Sequence, residues 1–149
     1  AMKVANVLRQ KGSTVYSVEA GKTAMEALKI LNRERIGALI VEAEDGQIRG
    51  ILSERDLLQH IHKPGGTLGK ARVEELMTPR EDLIVATPTD DLDYVMQAMT
   101  HNRVRHVPVI GEGKLVGVLS IGDVVKSQLS DKAHENKMLS DYILGRYPC

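Results

Sequence analysis

Residues 50–56 read GILSERD and residues 117–123 read GVLSIGD. Both run glycine, two aliphatic residues, serine, two variable positions, aspartate. Ser-x-x-Asp is what a helix start wants: the serine oxygen caps a free backbone N–H, and the acid reaches back or faces the positive helix end. The same N–H groups and hydroxyl would also hold a phosphate. One copy would leave a cap and a ligand contact open, but the second copy brings its surroundings with it.

Asp56 and Asp123 stand 67 positions apart (56 to 123), and the likeness extends upstream. TAMEALKILNRERIGALIV at 23–41 lies over DLDYVMQAMTHNRVRHVPV at 91–109, an offset of 68 (23 to 91) that one deleted turn residue reconciles with the first. A repeat on this scale fixes the architecture before any local assignment. Each copy predicts a short strand (TVYSV at 14–18, DLIVA at 82–86) and then an amphipathic helix. The apolar stripe is Ala24, Ala27, Leu28 and Leu31 in one copy, and Leu92, Val95, Met96 and Met99 in the other. A hairpin follows, turning at Asp45-Gly46 or Gly111-Glu112-Gly113, and a second helix opens at the Ser-x-x-Asp.

The unit is therefore β-α-β-β-α, about 50 residues long and too small to bury a dependable core alone. The expected fold class is α+β: two such repeats packed with pseudo-two-fold symmetry, plus a C-terminal helix. The expected boundaries are a lead-in over 2–13, repeat 1 over 14–64, a linker with a short helix over 65–77, repeat 2 over 78–131 and a helical tail over 132–149. The tail puts Met138, Leu139, Tyr142 and Ile143 on one face and stops at Gly145.

Composition excludes several functions. Lys+Arg and Asp+Glu balance at 20 each, which removes the electrostatic reason to expect nucleic acid or an anionic membrane as partner. With no Phe or Trp and four Tyr, a base-stacking platform is poorly supplied. Cys149 alone supports neither an internal disulfide nor a Cys-rich zinc site. No 18-residue apolar run exists, and AMKVANVLRQ is too polar for a signal peptide, so the expected location is cytoplasmic.

The doubled unit, with G-h-h-[ST]-x-x-D at each second-helix start and HVPV at 106–109, resembles the CBS (cystathionine β-synthase) domain pair, or Bateman module. The resemblance runs from about Lys11 to Asp131, and the size is similar to small stand-alone bacterial members. It implies a regulatory protein, a homodimer that binds AMP, ADP, ATP, NAD(H) or an S-adenosyl compound in two clefts between the repeats and senses energy or redox state. In each cleft the motif aspartate would take the ribose hydroxyls, and the helix start would face phosphate. Carried across, one set is Ile51, Ser53 and Asp56 with Thr78, Asp82, Ile84, Val104 and Arg105, with His106 nearby; by the residues alone, Arg55 in the first helical turn is expected to be solvated or paired with Glu54 or Asp56, with a phosphate tail as its alternative partner. The other is Val118, Ser120 and Asp123 with Lys11, Thr14, Tyr16, Ile36, Gly37 and Ala38. The family's proline is missing at Ile40, where the second repeat has Pro108.

The residues add their own reading. Gly122 lies in a first helical turn, where a pure cap gains nothing from glycine and close approach by a ligand would explain it. Arg105 and His106 replace Gly37 and Ala38; since strand side chains alternate faces, one of the two must turn inward or towards a cleft, and there it needs an anion. His60 and His62 lack a carboxylate partner at ligand spacing, so no metal is expected. Ser53, Asp56 and His60 are too close on one helix to form a triad, and no phosphate-binding lysine loop follows a strand, so no enzyme is expected. The competing expectation is a structural dimerisation or protein-interaction module with empty clefts.

Overall fold

The computed structural model describes residues 2–135, with side chains through Ser130. The apolar stripe expected in the tail lies outside the described residues. In chain order the elements are α1 (Val4–Lys11), β1 (Ser17–Glu19), α2 (Ala24–Glu34), β2 (Ala38–Glu42), β3 (Ile48–Ser53), α3 (Glu54–His62), α4 (Val73–Leu76), β4 (Thr78–Pro79), α5 (Leu92–Asn102), β5 (His106–Gly111), β6 (Lys114–Ser120) and α6 (Ile121–Glu135). A 3-10 turn covers Arg80–Asp82. The fold is mixed α+β with two copies of one unit.

The chain divides into two compact units that do not follow chain order. One is Val15–Leu83; the other joins the segment up to Thr14 to the chain from Ile84 onward. The lead helix α1 thus completes the body of the second repeat, and the linker helix α4 completes the body of the first. Their attachments match bond for bond. Val4 N–H donates to Asp90 O, Ala5 N–H to Pro88 O, and Leu92 N–H to Met2 O, at 2.9–3.0 Å. The equivalent bonds in the first unit are Val73 to Lys22, Glu74 to Ala20 and Ala24 to Ala71, at 2.8–3.1 Å.

In the first unit β1 runs parallel to β2, which is antiparallel to β3, which is antiparallel to β4. Val18, Ala24, Ala27, Leu31, Leu39, Val41, Leu52, Leu57 and Val73 form its core. In the second unit β5 and β6 form an antiparallel hairpin, and Val7, Leu92, Val95, Met99, Val107, Val109, Leu119 and Val124 fill the core. The helical stripes read from sequence are the buried faces. The second hairpin turns through Glu112 (φ 51°) and Gly113 (φ 76°), two left-handed residues as a tight hairpin demands. Helices α2 and α5 both end on a left-handed arginine, Arg35 and Arg103, each at φ 55°.

The expected strand over 82–86 is not formed; its register survives only as a parallel bridge between Ala86 and Val109. Proline explains the loss. In the first unit the Ile40 N–H donates to Tyr16 O at 3.0 Å, extending the β1 contact by one bond. The equivalent residue is Pro108, which has no N–H to give. The strand expected over 14–18 is likewise shifted, to Ser17–Glu19.

The leading glycine of each motif is also explained. A Cβ on Gly50 would collide with the Thr78 carbonyl, and one on Gly117 would sit 2.7 Å from Leu8 Cδ2. Both glycines mark where the borrowed lead segment crosses its hairpin.

Candidate functional site

At both Ser-x-x-Asp starts the serine caps the helix. In α3 the Asp56 N–H donates to Ser53 Oγ at 3.3 Å, while Asp56 Oδ2 accepts from the Ser53 N–H at 2.8 Å and its hydroxyl at 3.0 Å. In α6 the Asp123 N–H donates to Ser120 Oγ at 3.1 Å and Asp123 Oδ2 accepts from the Ser120 N–H at 2.8 Å. Each box orients a half-buried acid at the positive end of a helix. The first helical N–H is tied to the loop before the hairpin: Glu54 donates to Gly37 O at 3.0 Å, and Ile121 to Arg105 O at 2.8 Å. Pre-hairpin loop, serine and aspartate therefore meet within each repeat.

The second helix start carries a cation as well. Lys11, the last residue of α1, reaches Asp123 Oδ2 at 2.6 Å and Val118 O at 2.7 Å. The two side chains keep 32% and 24% of their exposure, so the pair is partly shielded from water. Burial, the largest single influence, pushes the Asp123 carboxyl up. The Lys11 ammonium, the Ser120 N–H and the Ser120 hydroxyl together outweigh it and hold the group below the usual carboxylate range. Sequence reasoning placed Lys11, Val118, Ser120 and Asp123 in one set, and the structure brings these four together. It missed that Lys11 bonds the aspartate itself; the only signal was a cation at the end of the lead helix.

The other members lie as follows. In the first unit Ile51 is buried and paired with Ile40 and Thr78, Thr78 is half-buried, and Arg55 and Asp82 are exposed. Tyr16 is exposed, Gly37 and Ala38 are half-buried, and Ile36 packs against the core. In the second unit Thr14 and Arg105 are exposed and Ile84 is half-buried. Val104 packs against that unit's core. Of the Arg105-His106 pair, His106 is half-buried opposite Ser120 and Arg105 is exposed, so Arg105 bears no burial cost. His60 Nε2 meets Thr67 O at 2.9 Å and ties the end of α3 to the following loop. Among the described residues no group of three or more His, Cys, Asp or Glu could hold a metal ion, and no helix is long and apolar enough to cross a membrane.

Comparison with known proteins agrees with this geometry. The CBS domain family model matches residues 11–63 and again 73–130. The chain is 33% identical over 150 residues to the mitochondrial CBS domain-containing protein CBSX3 of Arabidopsis thaliana, across 97% of this chain and 73% of that one. A CBS-domain containing protein from Agrobacterium tumefaciens superposes with a TM-score of 0.81 at 35% identity, covering 85% of this chain and 99% of its own. CBSX2, solved in complex with AMP, superposes with a TM-score of 0.70 at 26% identity over 89% and 99% of the two chains. The chain belongs to the CBS-domain family, as a tandem CBS domain pair, a regulatory module.

Proposed function

We propose that the chain is an adenine-nucleotide sensor that binds AMP, ADP, ATP or NAD(H) and alters its shape or partner affinity as their levels change. The observation that carries this reading is the pair of half-buried, serine-oriented aspartates, each fixed at a helix start beside backbone N–H groups. Such an acid offers carboxylate oxygens to a ribose diol while the helix start favours phosphate. The AMP found in CBSX2 supports the same ligand class here.

Asp56 and Asp123 would take the ribose hydroxyls and Ser53 and Ser120 the phosphate side, with Thr78, Asp82, Ile84, Val104, Arg105 and His106 completing the first set. Lys11, Thr14, Tyr16, Ile36, Gly37 and Ala38 would complete the second. Regulation would follow from tighter binding to one conformation, since a ligand shifts an equilibrium only by its differential affinity. In this reading the chain catalyses nothing, works in the cytoplasm, takes neither metal nor nucleic acid, and pairs with a second copy. Leu58 and Ile61 on α3, 65% and 48% exposed, support that pairing.

Thermal melting with AMP, ADP, ATP, NAD(H) or S-adenosylmethionine tests the reading. A ligand at a hundredfold excess over its Kd adds about 2.7 kcal/mol of stability, an easily seen rise in Tm. No rise with any of them at millimolar concentration would leave the competing function, a structural module with empty clefts.

A further inference from the structure

We propose that Lys11 is a built-in competitor for Asp123, holding that carboxylate until a ribose diol arrives and then giving it up. The proposal rests on the reading of Asp123 as the ribose-binding acid. Asp123 Oδ2 already accepts from the Ser120 N–H at 2.8 Å, and Lys11 Nζ lies on the same oxygen at 2.6 Å. A diol needs acceptor positions on the carboxylate, and a charge-assisted bond to an ammonium is a strong rival for them.

The rival is held in place. Leu8, three residues before Lys11, is buried and rests on Gly117, which leaves it no space for movement towards β6. The Val118 carbonyl takes a second ammonium bond at 2.7 Å. Lys11 is thus delivered to Asp123 by the packing of α1 rather than by chance contact of two surface side chains. A diol that takes both carboxylate oxygens meets Lys11 and the Ser120 N–H already on Oδ2, so displacing Lys11 would couple occupancy of the site to the last turn of α1.

Lys11→Met keeps the aliphatic stem and removes the charge. Calorimetry with adenosine, which has no phosphate to profit from Lys11, isolates the competition for Asp123; AMP is titrated in parallel. Loss of a partly shielded ion pair should tighten adenosine binding about threefold to tenfold in Lys11→Met. Lys11→Arg, which keeps the charge beside Asp123, should not show the gain, and the gain should vanish in Lys11→Met/Asp123→Ala. Adenosine binding that is unchanged or weaker in Lys11→Met, while AMP binds the wild type, overturns the competitor role and leaves the sensor standing. Failure of AMP and adenosine to bind either protein overturns both.

Discussion

Gly122 separates the capping role of the second motif from the binding role proposed for it. A Cβ there would meet nothing nearer than Ser120 Oγ at 3.7 Å, so packing within the chain does not require glycine. Alanine should stiffen the first turn of α6 and add up to about 1 kcal/mol of stability. If the space serves a nucleotide, Gly122→Ala melts higher than the wild type alone yet gains less from AMP. Melting curves with and without AMP decide it, and an undiminished AMP response would show that the glycine has no part in binding. The two Ser-x-x-Asp boxes were legible in the sequence because a cap is local, needing one side chain and an N–H three residues away. The Lys11–Asp123 bond was not: the family resemblance put the two residues in one set, but 112 residues separate them (11 to 123) and only the packing of α1 brings the ammonium onto the carboxylate.

That packing belongs to the scale of elements. The stripes of α2 and α5 and the hairpin turns follow from period and turn chemistry, which one segment carries by itself. The exchange of lead segments does not. It is made by backbone bonds, such as Val4 to Asp90 and Val73 to Lys22, which nearly any residue type could form. One side-chain trace of it is the glycine leading each motif, open to reading as strand irregularity until the crossing segment is seen. The second repeat's lost edge strand is a similar case, where a proline read as a family feature removes the bond that Ile40 makes. Since α1 belongs to the second body, Leu8→Ala should cost about 2–4 kcal/mol, as expected for a buried leucine seated on Gly117. Hydrogen exchange should show protection lost first at Val107, Val109 and Leu119. Equal loss at Leu39 and Val41, in the body that α1 does not complete, would show that α1 supports both units alike.

Across the whole molecule, equal numbers of acidic and basic residues provide no general attraction for anionic nucleotides, so local cations must set the preference for phosphate. The two repeats place those cations differently. Gly37 and Ala38 open one hairpin where Arg105 and His106 open the other, and Arg55 occupies the first-turn position that Gly122 holds in the second motif. Arg55 and Arg105 are both exposed and able to meet a phosphate tail. In the nucleotide-binding reading proposed above, the set built on Asp56 would draw on both arginines. The set built on Asp123 has Lys11, which Asp123 and Val118 already occupy. Asp123→Ala, which leaves the arginine-bearing set, should therefore favour ATP over adenosine more strongly than Asp56→Ala does. One additional charge-assisted phosphate contact, about 1.5–3 kcal/mol, makes that difference roughly tenfold or more. Calorimetric titration of both variants with ATP and adenosine measures it directly. Equal ratios would mean that the arginines remain in solvent and that the two motifs, despite their different neighbours, present the nucleotide with the same chemistry.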